Sequence, residues 1–272
     1  AIFFENTNNG QSVLYNICGF DCCTTYSSGP HYQFAYLYVK DDISSKNYVN
    51  YSSITRCVNE ISNSHYILYL AYGKICCPSV NMSMNKCQYY SVINCIPYSY
   101  SNSAICSLSY PTFADNSAFG YLCIQLWRSG AKIEMKSCNV LRNIQGDLGS
   151  YGTFYTNGNT MIEDSCILEN NANTIFYIYS NTITLSNCTV DKTTKYGNLI
   201  IQKTVTKSFI HALNHMSNLI CHAEYDSAGT LTPNIQTPSP SKKQKLYCYT
   251  CENFYQLLQQ REIVLVINIL IF

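Results

Sequence analysis

Three groups of residues have the types and spacing that chemistry can use. His211 and His215 stand four apart with Cys221 and His222 just downstream, and on a helix this would bring three metal ligands together. Cys248 and Cys251, separated by Tyr249 and Thr250, have the spacing of redox and zinc-knuckle pairs. Asp41-Asp42 is the only adjacent aspartate pair, and a calcium site wants several such oxygens converging. Asp115, Asp147 and Asp164 are more scattered and serve together only if the fold aligns them.

Each group also has a plainer reading. No second cysteine pair accompanies Cys248 and Cys251, and no strand-helix context precedes them, so they read as incidental or as a local disulfide. The histidines read as a surface or cap-stabilising pair, and Asp41-Asp42 as a solvated loop. No Ser/His/Asp order, phosphate loop or zinc-protease motif is present. The sequence therefore assigns no catalytic, cofactor-binding or metal residues and implies no cofactor.

Composition narrows the setting. Charged residues make up 12% of the 272 and the formal net charge is +1, which gives no basis for a nucleic-acid surface or an acidic tail. The surface must be neutral and polar, and 25 tyrosines with abundant Asn, Ser and Thr supply it with residues that suit strands and tight turns. The 16 cysteines are spread along the chain, unlike those of a small disulfide scaffold. Ala1 is followed by no charged, apolar leader, so the chain reads as mature or as a fragment.

The elements that must position any site come from an internal repeat. Lys132 to Val140, Met161 to Leu168 and Ile183 to Val190 each carry a cysteine followed two residues later by an aliphatic. Apolar residues are expected five and three before each anchor. Extended along the chain, the anchors fall at Cys18, Cys57, Cys87, Pro111, Cys138, Cys166 and Cys188. The alternation has period two, so these segments read as strands. A second strand follows at Tyr32 to Val39, Tyr66 to Leu70, Phe119 to Trp127, Gly152 to Tyr155, Ile175 to Tyr179 and Asn198 to Gln202. One such coil cannot bury its inward side chains alone, but stacking at about 4.8 Å lays like residues over like. Asn116, Asn143 and Asn171 are placed at the turns, where Asn accepts left-handed angles and hydrogen-bonds along a stack of its own kind. Glu163 falls at a nominally inward position, which points to a one-residue shift in that strand.

The predicted fold is all-β, a right-handed parallel β-helix of about seven coils over residues 1–212. Phe209, Leu213, Met216 and Ile220 recur at helical spacing and predict a short cap helix, placed at 213–225. Residues 226–245 shift to Gly, Pro, Ser and Lys and read as a flexible linker, with a small basic cluster at Lys242, Lys243 and Lys245. Residues 246–272 form a tail whose apolar run, Ile263 to Phe272, is shorter than the roughly 20 residues of a spanning helix and reads as a truncated anchor or a strand. The anchor cysteines read as buried thiols, because parallel side chains disfavour the disulfide dihedral; the vicinal Cys22-Cys23 and Cys76-Cys77 are the better cross-link candidates. Sequons occur at Asn50, Asn81 and Asn187, and in so Asn/Ser/Thr-rich a chain they barely favour secretion.

The Asn187-Cys188-Thr189-Val190 and Ser165-Cys166-Ile167-Leu168-Glu169-Asn170-Asn171 phrases resemble the right-handed parallel β-helix, or pectate-lyase-like, superfamily. Ile183 to Thr194 and Ser208 to His215 are similar to large Asn/Tyr/Cys-rich families of uncharacterised, surface-type β-helix proteins in trichomonad protists. The resemblance covers most of residues 13–250 and implies a fold and a cell-surface or secreted setting, with no assigned chemistry. Enzymes of the superfamily cleave acidic polysaccharides with clustered aspartates, calcium or an arginine base. For this chain that role would need Asp115, Asp147 and Asp164 in one groove with Arg142. The preferred reading is a non-enzymatic binding or adhesion protein presenting a neutral Tyr/Asn-rich lateral face, with Tyr177 and Tyr179 on it, to host proteins or glycans. A lyase or hydrolase, and a degenerate fragment without independent function, are the alternatives. Nucleic acid is not an expected partner, and membrane association and oligomeric state stay open.

Overall fold

The computed structural model describes residues 2–8, 10–20, 22, 32–57, 66–87, 91–98, 105–118, 123–146 and 151–205. The cap, linker and tail segments, Asp147, His211, His215, Cys221, His222, Cys248 and Cys251 lie outside the described residues. Among those described there are 23 strands and no helix. Numbered in chain order, they stack into three parallel faces. The first face holds β1 (Ile2–Asn6), β4 (Tyr32–Val39), β7 (Tyr66–Ala71), β11 (Ile93–Ile96), β15 (Ile124–Leu126), β19 (Phe154–Thr156) and the start of β22 (Phe176–Val190). The second holds β2 (Gln11–Tyr15), β5 (Lys46–Asn50), β8 (Lys74–Pro78), β12 (Cys106–Ser109), β16 (Lys132–Lys136), β20 (Asn159–Glu163) and the middle of β22. The third holds β3 (Cys18–Phe20), β6 (Ser53–Thr55), β9 (Asn81–Ser83), β13 (Thr112–Ala114), β17 (Asn139–Leu141), β21 (Cys166–Leu168) and the end of β22. A corner sheet of β10 (Lys86–Cys87), β14 (Ser117–Ala118) and β18 (Ile144–Gln145) follows the third face, and β23 (Lys195–Thr204) closes the stack on β22. The molecule is a parallel β-solenoid of seven coils and part of an eighth.

Side chains alternate across each face because the strand period is two. Inward rows fill one continuous core. On the first face Ala35, Leu68, Ile93, Ile124, Phe154 and Phe176 stand over one another, and on the second Ile75, Cys106, Ile133, Thr160 and Ile183 do the same. In the third-face row Ile54, Met82, Phe113, Val140 and Ile167, the first-coil position is Gly19, where a Cβ would come within 2.4 Å of the Phe34 ring. Phe34, 2% exposed, fills the core space that the missing side chain leaves.

Two corners turn on single left-handed residues. Between the second and third faces these are Asn16, Tyr51, Ser79, Tyr110, Ser137, Asp164 and Asn187, and after the third face Arg56, Met84, Asp115, Arg142 and Glu169. One left-handed residue bends the chain while the ladder continues through it: Ser79 N–H donates to Ser109 O at 2.7 Å and Tyr110 N–H to Lys136 O at 2.8 Å. The left-handed angle thus belongs to Asp115 and Arg142, and not to the asparagines that follow them.

Those asparagines form a buried amide ladder. Asn85, Asn116 and Asn143 each donate Nδ2–H to the amide oxygen of the next member, ending at Asn170, with N···O distances of 3.0, 2.9 and 2.9 Å. The backbone N–H groups of the same three donate to those same oxygens. Each amide, Asn170 included, also donates to a carbonyl one coil earlier, on Ile54, Met82, Phe113 and Val140 in turn. Asn170 takes the place expected for Asn171, which is exposed and makes a backbone bridge to Ile144. The reason is a register difference. Cys166 aligns with Asn139, one residue past Cys138, so counting five from each cysteine overshoots in that coil. The same difference sends Glu163 outward, where it pairs with Lys136 at 3.1 Å, as its polarity demanded.

Cysteine therefore occupies several different places. Pro111, Cys138 and Cys188 share an inward corner position, whereas Cys18 and Cys166 lie one residue further on and Cys87 lies in the corner sheet. Cys57, Cys77, Cys87, Cys95, Cys106, Cys123, Cys138 and Cys188 are buried free thiols, as read for the anchors, while Cys18 is disulfide-bonded. Cys76 and Cys77 are not cross-linked to each other: β8 points one outward and the other into the core.

Candidate functional site

The outward rows of the three faces differ in kind. On the third face the outward Ser53, Asn81, Thr112, Asn139 and Cys166 are all buried, and Ala114, Leu141 and Cys166 form a second small apolar cluster there. Asn81 donates Nδ2–H to Ser53 Oγ at 3.0 Å, so its sequon is closed in the folded chain. On the second face the outward positions are mixed, with Tyr48, Cys76, Ser107, Glu134 and Met161 in one row.

The first face carries the aromatic residues. Its central outward row reads Phe3, Tyr36, Tyr69, Asn94, Gln125, Tyr155, Tyr177, Tyr196 in consecutive coils. Phe3 and Tyr36 stack with centroids 5.0 Å apart, Tyr36 and Tyr69 also at 5.0 Å, Tyr155 and Tyr177 at 5.4 Å, and Tyr177 and Tyr196 at 4.6 Å. Interplanar angles run from 11° to 27°, so the rings follow the strand spacing and offer each other their faces. What they present outward are edges and phenol hydroxyls in a line. Free ring faces occur at the ends, where Phe3 is 52% and Tyr196 57% exposed.

Between the two stacks lie Asn94 and Gln125. Asn94 Oδ1 and Gln125 Oε1 are both buried without a hydrogen-bond partner. A buried amide oxygen without a donor costs about 1–3 kcal/mol, so two in adjacent coils mark a place the fold leaves chemically unfinished. The flank toward the second face adds Trp127, stacked on Tyr155 at 5.1 Å, and Tyr179, 62% exposed. Further along, Arg128 reaches back over the Tyr72 ring, 5.3 Å from its centroid, to pair with Asp41 at 2.5 Å. Burial raises the Tyr38, Tyr155 and Tyr177 hydroxyl pKa values, that of Tyr155 to about 12, so these phenols stay protonated hydrogen-bond donors at neutral pH.

The acidic residues weighed from the sequence are placed apart. Asp115 forms a two-pronged pair with Arg142, Nε to Oδ1 at 2.8 Å and Nη2 to Oδ2 at 2.9 Å, on the corner after the third face. Asp164 stands on the other corner, accepting from Asn187 Nδ2 at 2.5 Å. Asp41 and Asp42 also diverge. Asp42 accepts from the Ser44 hydroxyl and from the backbone N–H groups of Ser44 and Ser45, which hold its carboxyl down to about 2, while Asp41 turns to Arg128. Among the described residues no three His, Cys, Asp or Glu side chains group as a metal site, and no helix is long and apolar enough to cross a membrane. The tyrosines were legible from the sequence as a class, but Asn94 and Gln125 were not, because an outward amide becomes notable only once its neighbours in the stack are known.

No protein-family profile, no curated protein and no solved structure matches this chain.

Proposed function

We propose that the chain is a non-enzymatic binding or adhesion protein of the right-handed parallel β-helix type, and that its ligand face is the outward row of the first face. The observation that carries this reading is the outward row of stacked tyrosines, Tyr36 on Tyr69 and Tyr155 on Tyr177 on Tyr196, with Tyr179 and Tyr196 exposed beside it. A neutral, polar partner, a glycan or a protein segment, suits a surface of phenol rims and ring edges. The low charge of the chain favours such a partner over an acidic one. A pectate-lyase-like ancestry and a kinship with the surface-type β-helix proteins of trichomonads belong to the same reading, as does a cell-surface or secreted setting. The separation of Asp115 from Asp164 weighs against the lyase alternative.

The test is binding to neutral glycans and to host-cell surfaces by the chain and by the double variant Tyr36→Ala, Tyr177→Ala, with Tyr110→Ala as a control on a corner away from this face. Loss of binding in the double variant alone is expected; unchanged binding by the double variant removes the proposal.

A further inference from the structure

The amide ladder ends on its N-terminal side in sulfur. Cys18, Ser53 and Asn81 are register partners in successive coils. Four residues beyond each stand Cys22, Cys57 and Asn85, so two cysteines hold the ladder position in coils one and two. Cys57 keeps the ladder's backbone bond, donating N–H to Asn85 Oδ1 at 3.0 Å. Its side chain cannot continue the amide chain; instead the Cys57 thiol lies beside Cys22, whose proximity and the burial of the site raise its pKa. Both sulfurs also lie against carbonyls of their own coils, Cys57 Sγ 3.8 Å from Thr55 O and Cys22 Sγ 3.7 Å from Phe20 O. Cys57 is buried and Cys22 is half-buried.

We propose that Cys22 and Cys57 are a disulfide-forming pair that ties the first coil to the second, a covalent rung in the place of an amide rung. Stacked neighbours at about 4.8 Å fall within the Cα separations that disulfides span, and Cys22 and Cys57 both stand two residues beyond the ends of β3 and β6, off the strands whose parallel side chains disfavour the disulfide dihedral. With a small-molecule disulfide as oxidant, the Cys22 thiolate, the accessible one, attacks one sulfur and releases one thiolate. The Cys57 thiolate then attacks Cys22 Sγ and the second small thiolate leaves. Two protein thiols thereby lose two protons and two electrons, and the reagent is reduced to two thiols. Cys57 must lose its proton in a buried place, so the second step quickens as pH rises.

The full chain is incubated with oxidised glutathione, remaining thiols are alkylated after denaturation, and tryptic fragments are mapped. The fragment ending at Lys40 is expected joined to the fragment from Cys57 to Lys74, with fragmentation placing the bond at Cys22. The melting temperature should rise by about 5–10 °C over the reduced chain. The variant Cys57→Asn extends the amide ladder, so it should keep the strand signal and lose the joined fragment. Recovery of alkylated Cys57 from the oxidised wild type, or a bond from Cys57 to a cysteine of the first fragment other than Cys22, overturns the proposal.

Discussion

Replacing Asn116 by alanine should destabilise the solenoid by about 3–5 kcal/mol. Asn116 is 1% exposed and its side chain serves four bonds. Its Oδ1 accepts from Asn85 N–H and Asn85 Nδ2–H, both at 3.0 Å, and its Nδ2–H groups reach Met82 O at 2.8 Å and Asn143 Oδ1 at 2.9 Å. Alanine leaves the buried Asn85 N–H without an acceptor, costing about 1–3 kcal/mol, and removes three further bonds at about 0.5–1.5 kcal/mol each. Part of that loss is recovered where Asn85 Nδ2–H keeps Ile54 O and Asn143 Oδ1 keeps Asn116 N–H. Asn171→Ala is the matched control: it is exposed and bonds here only through its backbone, so its cost should stay within about 0.5 kcal/mol. Urea unfolding of both variants, followed by circular dichroism at the strand band, gives the comparison. Costs within about 1 kcal/mol of each other would show that the amide ladder does not hold this corner.

Further outcomes follow from other parts of the stack. Gly19→Ala should destabilise clearly in thermal unfolding, because the new methyl meets the Phe34 ring on the inward side. Tyr110→Asn should stabilise by about 0.5–1 kcal/mol, since asparagine tolerates the left-handed φ of 57° better than tyrosine, and equilibrium unfolding would register it. In the native chain a maleimide at neutral pH should label the half-buried Cys76 and spare the buried Cys77, Cys87 and Cys138, whose burial raises their thiol pKa values, and Cys95, whose thiol is raised first by its contact with Cys106 and then by burial; mass mapping reads the pattern. The Tyr155 pKa is raised in the folded chain, so its contribution is fully present below about pH 10 and is lost as pH rises toward 12. Unfolding midpoints taken across that window should fall, and should fall less in Tyr155→Phe.

Much of the fold could be read from the sequence because one periodicity dominates. The spacing around Pro111, Cys138 and Cys188 identified the true inward positions, among them Ile133, Met135 and Val140, each fully buried. The same rule misplaced Cys18 and Cys166 by one residue, since cysteine is small and apolar enough to sit on either side of the corner. Glu163 was the one side chain polar enough to reveal the slip. The same slip is why the spacing names Asn171 where the last ladder amide is Asn170, two neighbours of identical chemistry that only register separates. The binding face was legible as a supply of tyrosines and not as a place. Which tyrosines stack, and which amides interrupt them, depends on loops of unequal length between coils.

The central claim concerns where a partner meets this solenoid, and hydroxyl-radical footprinting tests it most directly, because aromatic side chains are the reporters. With a bound glycan or protein partner, Tyr36, Tyr69, Tyr177, Tyr179 and Tyr196 should be protected from oxidation. The exposed tyrosines elsewhere, Tyr15, Tyr51 and Tyr110, should react as before. Protection at Tyr15, Tyr51 or Tyr110 with the first-face tyrosines unchanged would contradict the account.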